Sequence, residues 1–200
     1  MSVLGELQPN KVFQYFEEIC AIPHGSRNLQ QISDYLVDFA KVHGLKYRQD
    51  EDLNVIIWKD GSKGYEDSDP VILQGHMDMV AVKESDCDKD MEKEGLDLEI
   101  DGDYILAKGT SLGGDDGIAV AYTLAVLDDE EMAHPPIEAI FTVNEEIGML
   151  GAATIDVSDL KGRLFMNMDS EDEGVFTVSC AGGASVICKI PYETETVNAS

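Results

Sequence analysis

Apolar runs that stop abruptly at ionisable residues constrain this chain more than any other feature. Val71-Ile72-Leu73 continues through Gln74-Gly75 to His76-Met77-Asp78, and Ile137 to Val143 ends in Asn144-Glu145-Glu146. A third run, Arg163 to Met168, leads straight into Asp169. Nearly continuous apolar segments of this length are the pattern of strands covered on both faces, as in a mainly parallel sheet. In such sheets ligands bind in the crevice beyond the strand carboxyl ends. His76, Asp78, Glu145, Glu146 and Asp169 are therefore predicted to share one edge.

The segments around these runs are helical or turn-like. Val12, Phe13, Phe16, Ile19 and Cys20 recur at helical spacing after Asn10, the expected cap, and this helix should end near Pro23. Leu29 to Val42 repeats the pattern and stops at Gly44. Strands are expected at Leu45 to Arg48 and Asn54 to Trp58, and a hairpin at Leu96 to Ile100 and Tyr104 to Ala107, turning on Asp101-Gly102. Residues 61–70 and 83–94 are polar, solvated loops. Further strands are expected at Val175 to Cys180 and Ala184 to Ile190, and a short helix in Gly148 to Ala153. Helices alternating with buried strands make an α/β chain.

Gly109-Thr110-Ser111-Leu112-Gly113-Gly114-Asp115-Asp116-Gly117 precedes an apolar helical run, Ile118 to Leu127. Two roles are open to its acids at this point. A carboxylate at a helix entrance accepts hydrogen bonds from the first-turn N–H groups, or it serves as a ligand if other segments supply partners.

The chain of 200 residues carries 14 Lys and Arg against 40 Asp and Glu, a formal charge of -26. Such a field repels phosphate backbones and anionic lipid surfaces, which argues against nucleic acid or membrane as a partner. No apolar run has the length of a membrane span, and Met1 to Glu6 lacks a basic, then apolar, leader pattern, so a cytoplasmic location is expected. Cys20, Cys87, Cys180 and Cys188 show no C-x-x-C spacing and are read as ordinary thiols, Cys20 buried. His24, His43 and His134 lack acidic company and are read as surface or structural.

One imidazole and several carboxylates on one edge suit zinc, with manganese and cobalt as alternatives, and a carboxylate shared by two ions is how a metal pair is held. Carboxylates crowded together without a cation repel one another. Glu145 and Glu146 can both take part only if the strand has ended and turned between them, because neighbours on an extended backbone point apart.

The ordered series His76-Met77-Asp78, Gly113-Gly114-Asp115-Asp116-Gly117, Asn144-Glu145-Glu146-Ile147-Gly148-Met149 and Asn167-Met168-Asp169-Ser170-Glu171 resembles the co-catalytic zinc exopeptidases related to carboxypeptidase G and aminoacylase. Within that superfamily, Gln74 to Val80 and Asp169 to Gly174, followed by Cys180-Ala181-Gly182-Gly183, are most similar to the aminoacyl-histidine dipeptidases. The resemblance implies a three-layer αβα catalytic domain with a mixed, largely parallel sheet. It implies that His76, Asp115 and Asp169 hold one ion, that Asp115 and Glu146 hold a second together with a further histidine, and that the Asp115-Asp116 peptide is cis. Glu145 is implied as the general base for a metal-activated water, and Asp78 as the partner of the second His76 nitrogen.

Residues 1–180 are then expected to form the N-terminal part of the catalytic domain, and 181–200 the start of an inserted lid or dimerisation domain. No histidine of the chain matches the last metal ligand of the family, so the second site lacks one. The chain is expected to be an inactive fragment of a longer, homodimeric enzyme that hydrolyses dipeptides of the Xaa-His type. An N-acyl-amino-acid deacylase or carboxypeptidase of the same superfamily, and a non-catalytic acidic metal-binding module, are the alternatives.

Overall fold

The structure is a computed structural model that describes residues 2–170, 174–179, 182–184 and 186–195. The chain divides into a first unit, Met1–Asp169, and a second, Ser170–Ser200.

In the first unit the elements run α1 (Asn10–Cys20), α2 (Gln30–Val42), β1 (Lys46–Gln49), β2 (Val55–Lys59), β3 (Val71–His76), β4 (Leu98–Asp101), β5 (Tyr104–Ala107), α3 (Gly114–Asp128), β6 (Ile137–Thr142), α4 (Leu150–Thr154) and β7 (Leu164–Asn167). Five strands form one sheet in the order β1-β2-β6-β3-β7, and β4 with β5 makes the separate hairpin. The sheet is mixed. β1-β2 and β2-β6 are antiparallel, whereas β6-β3 and β3-β7 are parallel. The parallel half brings His76 opposite Thr142 and Gln74 opposite Asn167, so three strands end along one edge.

α1, α2 and α3 cover one face of the sheet. Their apolar stripes, including Phe16, Ile19, Leu36, Val120 and Leu124, enclose a core with Val55, Ile57, Leu73, Ala139 and Phe141. Each large apolar side chain fully removed from water contributes about 1.5–3 kcal/mol, and this face holds most of the buried ones. On the other face Ile56, Ile72 and Ile140 form a smaller cluster, packed by Trp58, Ile155 and Leu160.

Three expectations differ from the structure. Asn10 is the first helical residue and not a cap; Pro9 precedes the helix, and the Asn10 amide donates to the Gly5 carbonyl at 2.7 Å. β7 pairs with β3 but is exposed along its length, with Leu164 at 59% and Phe165 at 54%. It is the last strand of the described sheet, and an apolar run is covered only where a further layer packs on it. In the second unit the described parts of Val175 to Cys180 and Ala184 to Ile190 form no strand; Cys180 and Ser185 lie outside the described residues.

Candidate functional site: an imidazole ringed by carboxylates

His76 is the last residue of β3, and its ring is 1% exposed. Its Nδ1 lies 2.8 Å from the main-chain oxygen of Asp78. A carbonyl only accepts, so Nδ1 carries a proton and donates to it, and Nε2 is the ring nitrogen turned to the acids. Nε2 faces Asp115 Oδ1 at 3.0 Å, Glu145 Oε2 at 3.8 Å and Asp169 Oδ2 at 4.0 Å. Acceptors so close require a proton or a cation between them.

The acids reach this point from three elements. Asp115 and Asp116 interrupt the start of α3 with non-helical backbone, at φ -83°, ψ 111° and φ -110°, ψ 22°, and the peptide between them is cis. Neither is seen capping α3: the contacts their carboxylates make are with His76, Asp116 through its main-chain N–H and Asp115 through its ring. Gly113, at φ +69°, turns the chain into the helix, where a Cβ would lie 2.8 Å from the Met79 sulfur.

Asp116 points back to the sheet. Its Oδ2 accepts the main-chain N–H of His76 at 3.0 Å, and Gly75 leaves the room, since a Cβ there would stand 2.8 Å from that oxygen. Burial pushes the Asp116 carboxyl up to about 7, with the His76 charge acting in the opposite direction.

Glu145 and Glu146 follow β6 after a turn. Asn144 has φ +54°, and the N–H groups of Gly148 and Met149 both donate to the Glu145 carbonyl at 2.8 Å. The chain has thus left the extended path, and both glutamates face the imidazole. His76, Asp115 and Glu146 offer one set of ligand atoms within 4.8 Å of one another, and His76, Glu145 and Asp169 offer another. Both glutamates have raised pKa values through burial and the surrounding carboxylates, with His76 opposing. For His76 itself burial acts against protonation, but the charges of Asp116 and Asp78 prevail and raise its pKa.

Asp78 makes a different contact from the one implied by the resemblance. Its carbonyl, not its carboxylate, meets the His76 ring; the nearer carboxylate oxygen is 3.7 Å away. The carboxylate, fully buried, accepts the Ser26 hydroxyl at 2.8 Å and the Glu145 N–H at 3.0 Å. It therefore ties the loop after α1 to the glutamate turn.

Several supporting residues carry no signal in the sequence. Asn54, 1% exposed, accepts the Val143 N–H at 3.1 Å and donates to Asp50 at 2.8 Å and the Gly151 carbonyl at 3.3 Å, bracketing the turn that presents Glu145. Asn144 accepts the Arg27 N–H at 2.8 Å. Asn167 donates to Gln74 at 2.6 Å, and Gln74 to Thr142 at 3.2 Å, linking the ends of β7, β3 and β6. Among the described residues, His24, His43 and His134 join neither ligand set. His24 and His134 are buried against backbone carbonyls, and His43 stacks on Phe39.

The donor set fits a divalent transition ion. One imidazole nitrogen and four carboxylates converge, and carboxylates this crowded repel one another unless a cation offsets their charge. The mixed sheet with acids and an imidazole at its strand ends defines the α/β fold of the zinc-exopeptidase type.

Comparison with known proteins places the chain more closely. It is 39% identical over 199 residues to the cytosol non-specific dipeptidase of Escherichia coli, a match that takes in 100% of this chain and 41% of that protein. The crystal structure of aminoacylhistidine dipeptidase from Vibrio alginolyticus superimposes with a TM-score of 0.83 at 42% identity, over 86% of this chain and 35% of that one. A tripeptidase from Staphylococcus aureus shares the fold, with a TM-score of 0.69 at 23% identity over 84% of this chain and 45% of that one. No family profile matches the chain. The chain is thus similar over its whole length to the E. coli dipeptidase, of which it spans about two fifths, and over most of its length to the Vibrio enzyme.

Proposed function

We propose that this chain carries the metal-binding edge of a peptidase that hydrolyses short peptides, dipeptides of the Xaa-His type among them. The observation that carries the reading is Nε2 of the buried His76 facing carboxylates of Asp115, Glu145 and Asp169 within 4.0 Å. The dipeptidase names of the relatives point to the same reaction class.

His76, Asp115 and Asp169 would hold one ion, and Asp115 with Glu146 a second, making Asp115 the bridge. Divalent ions bound there, zinc foremost, supply Lewis acidity and a lowered water pKa. Asp78 fixes the His76 ring through its carbonyl and the Glu145 turn through its carboxylate, which sets both groups in place before substrate arrives. Glu145 takes the proton of the attacking water and returns it to the leaving amine. The second ion has no second imidazole within this chain, and its remaining ligand would come from elsewhere in a longer protein.

In this reading residues 1–180 belong to the catalytic domain and 181–200 begin an inserted lid or dimerisation domain. The cytosolic name of the E. coli relative supports a cytoplasmic location, and no described helix is long and apolar enough to cross a membrane.

Anomalous diffraction from zinc- or manganese-soaked crystals tests the metal site. An ion bonded to His76 Nε2 and Asp115 is expected. Calcium or no ion at His76, with dipeptide hydrolysis insensitive to chelators, would overturn the reading.

A further inference from the structure

We propose that Arg27 forms a carboxylate-binding subsite beside the acid cluster and holds a carboxylate of the peptide substrate, an inference that rests on the peptidase reading above. Next to the cluster lies a cavity of about 870 Å³, bordered by Gly25 to Asn28 on one side and by Lys83 and residues 88–93 on the other. That volume lies in the range of small-molecule sites.

The border is tied directly to the catalytic edge. Ser26 donates its hydroxyl to Asp78, and the N–H of Arg27 donates to Asn144, the residue before Glu145, both at 2.8 Å. Arg27 itself has φ +74°, a conformation uncommon for a residue with a side chain, and it is held there by the Asn144 bond. The loop is therefore fixed relative to Glu145.

Among the described residues the Arg27 guanidinium has no ion pair, in a chain whose formal charge is -26. The neighbouring cations are engaged. Lys89 pairs with Asp97 at 3.1 Å, Lys93 pairs with Asp90 at 2.7 Å, and Lys83 donates to the Lys89 carbonyl at 2.7 Å. Asp88 and Glu92 also line the cavity, but neither comes within ion-pair distance of Arg27.

The chemistry follows from these contacts. An exopeptidase separates its substrate from the interior of a longer chain by reading a charged end, and an anionic end approaching this protein meets a repulsive field. A guanidinium offers two parallel N–H donors to one carboxylate, which grips it in a fixed orientation. Arg27 is the cation left free to do so at the border of this cavity.

Steady-state kinetics on the metal-loaded full-length protein test the subsite with three probes: L-alanyl-L-alanine, its C-terminal amide, and L-aspartyl-L-alanine. Arg27→Ala is expected to raise KM for L-alanyl-L-alanine by roughly tenfold to a hundredfold, with kcat within about twofold. Arg27→Lys should recover part of the loss. If the amide is unaffected, the terminal carboxylate is the ligand; if only L-aspartyl-L-alanine loses, the side-chain carboxylate is. Equal changes for all three probes, or no change, would overturn the subsite. Should the unaltered protein hydrolyse none of them, the peptidase reading fails, and calorimetry of L-alanyl-L-alanine against its amide with metal-free protein still decides the subsite. Preference for the free carboxylate that disappears in Arg27→Ala supports it, and equal binding of both contradicts it.

Discussion

The main-chain N–H of His76 ends on Oδ2 of Asp116 at 3.0 Å, so the residue beside the proposed bridging acid locks the backbone of the central imidazole. Removing that acceptor leaves a buried donor unpaired. Asp116→Ala should lower unfolding stability by about 1–3 kcal/mol, and Asp116→Asn, which keeps an acceptor oxygen, should cost less. Gly75→Ala places a methyl against the same oxygen and should also destabilise, by about 1–3 kcal/mol. Urea denaturation of the three variants checks the ranking.

The apolar runs of β3 and β6 were legible because covered strands leave a continuous pattern, and their polar ends pointed to one edge. The role of Asp115 and Asp116 was left open because a helix cap and a ligand look alike in one dimension. The structure separates them, since both carboxylates turn away from α3 toward His76. Burial of β7 was misread, because cover depends on what packs beside a strand and not on the strand's own residues. Ser26, Arg27 and Asn54 left no trace, being polar loop residues whose partners lie far along the chain; Arg27 and Asn144 are 117 positions apart. The contact of Asp78 was legible by residue but not by atom, as carbonyl and carboxylate of one residue cannot be distinguished by sequence.

Metal binding should stabilise the fold, since an ion that binds only the native cluster shifts unfolding by mass action. Zinc added to metal-free protein is expected to raise the melting temperature, and Asp115→Ala to abolish most of that rise. The 200-residue chain should titrate with one tighter and one weaker ion, because both ligand sets draw on the single imidazole of His76. Calorimetric titration of zinc gives the stoichiometry.

Asp128 joins α3 to α1 and α2, bonding Lys11 at 2.6 Å and facing His43 at 3.3 Å. Burial acts to raise its pKa, but the bonds from Lys11 and Tyr15 outweigh it and hold the carboxyl below its ordinary value. A depressed native pKa means that its stabilisation is complete above the unfolded value, about 3.9, and is lost as pH falls through the native one. Asp128→Asn should therefore cost about 1 kcal/mol at pH 7 and flatten the fall in melting temperature below about pH 4.

Cys20 is 1% exposed, and burial pushes its thiol up to about 12, whereas Cys87 is half-buried. Only the thiolate is nucleophilic. At pH 8 iodoacetamide should label Cys87 far faster than Cys20 in the native protein, and the difference should vanish in denaturant. Peptide mapping by mass spectrometry measures both.

The most direct test of the proposed chemistry is hydrolysis of an Xaa-His dipeptide by a full-length, metal-loaded Glu145→Gln variant. The amide keeps the shape of the side chain but cannot take a proton, so kcat should fall by about 10²–10⁴-fold while the metal content stays that of the unaltered protein. Hydrolysis at the unaltered rate, with metal bound, would contradict the assignment of Glu145 as the base.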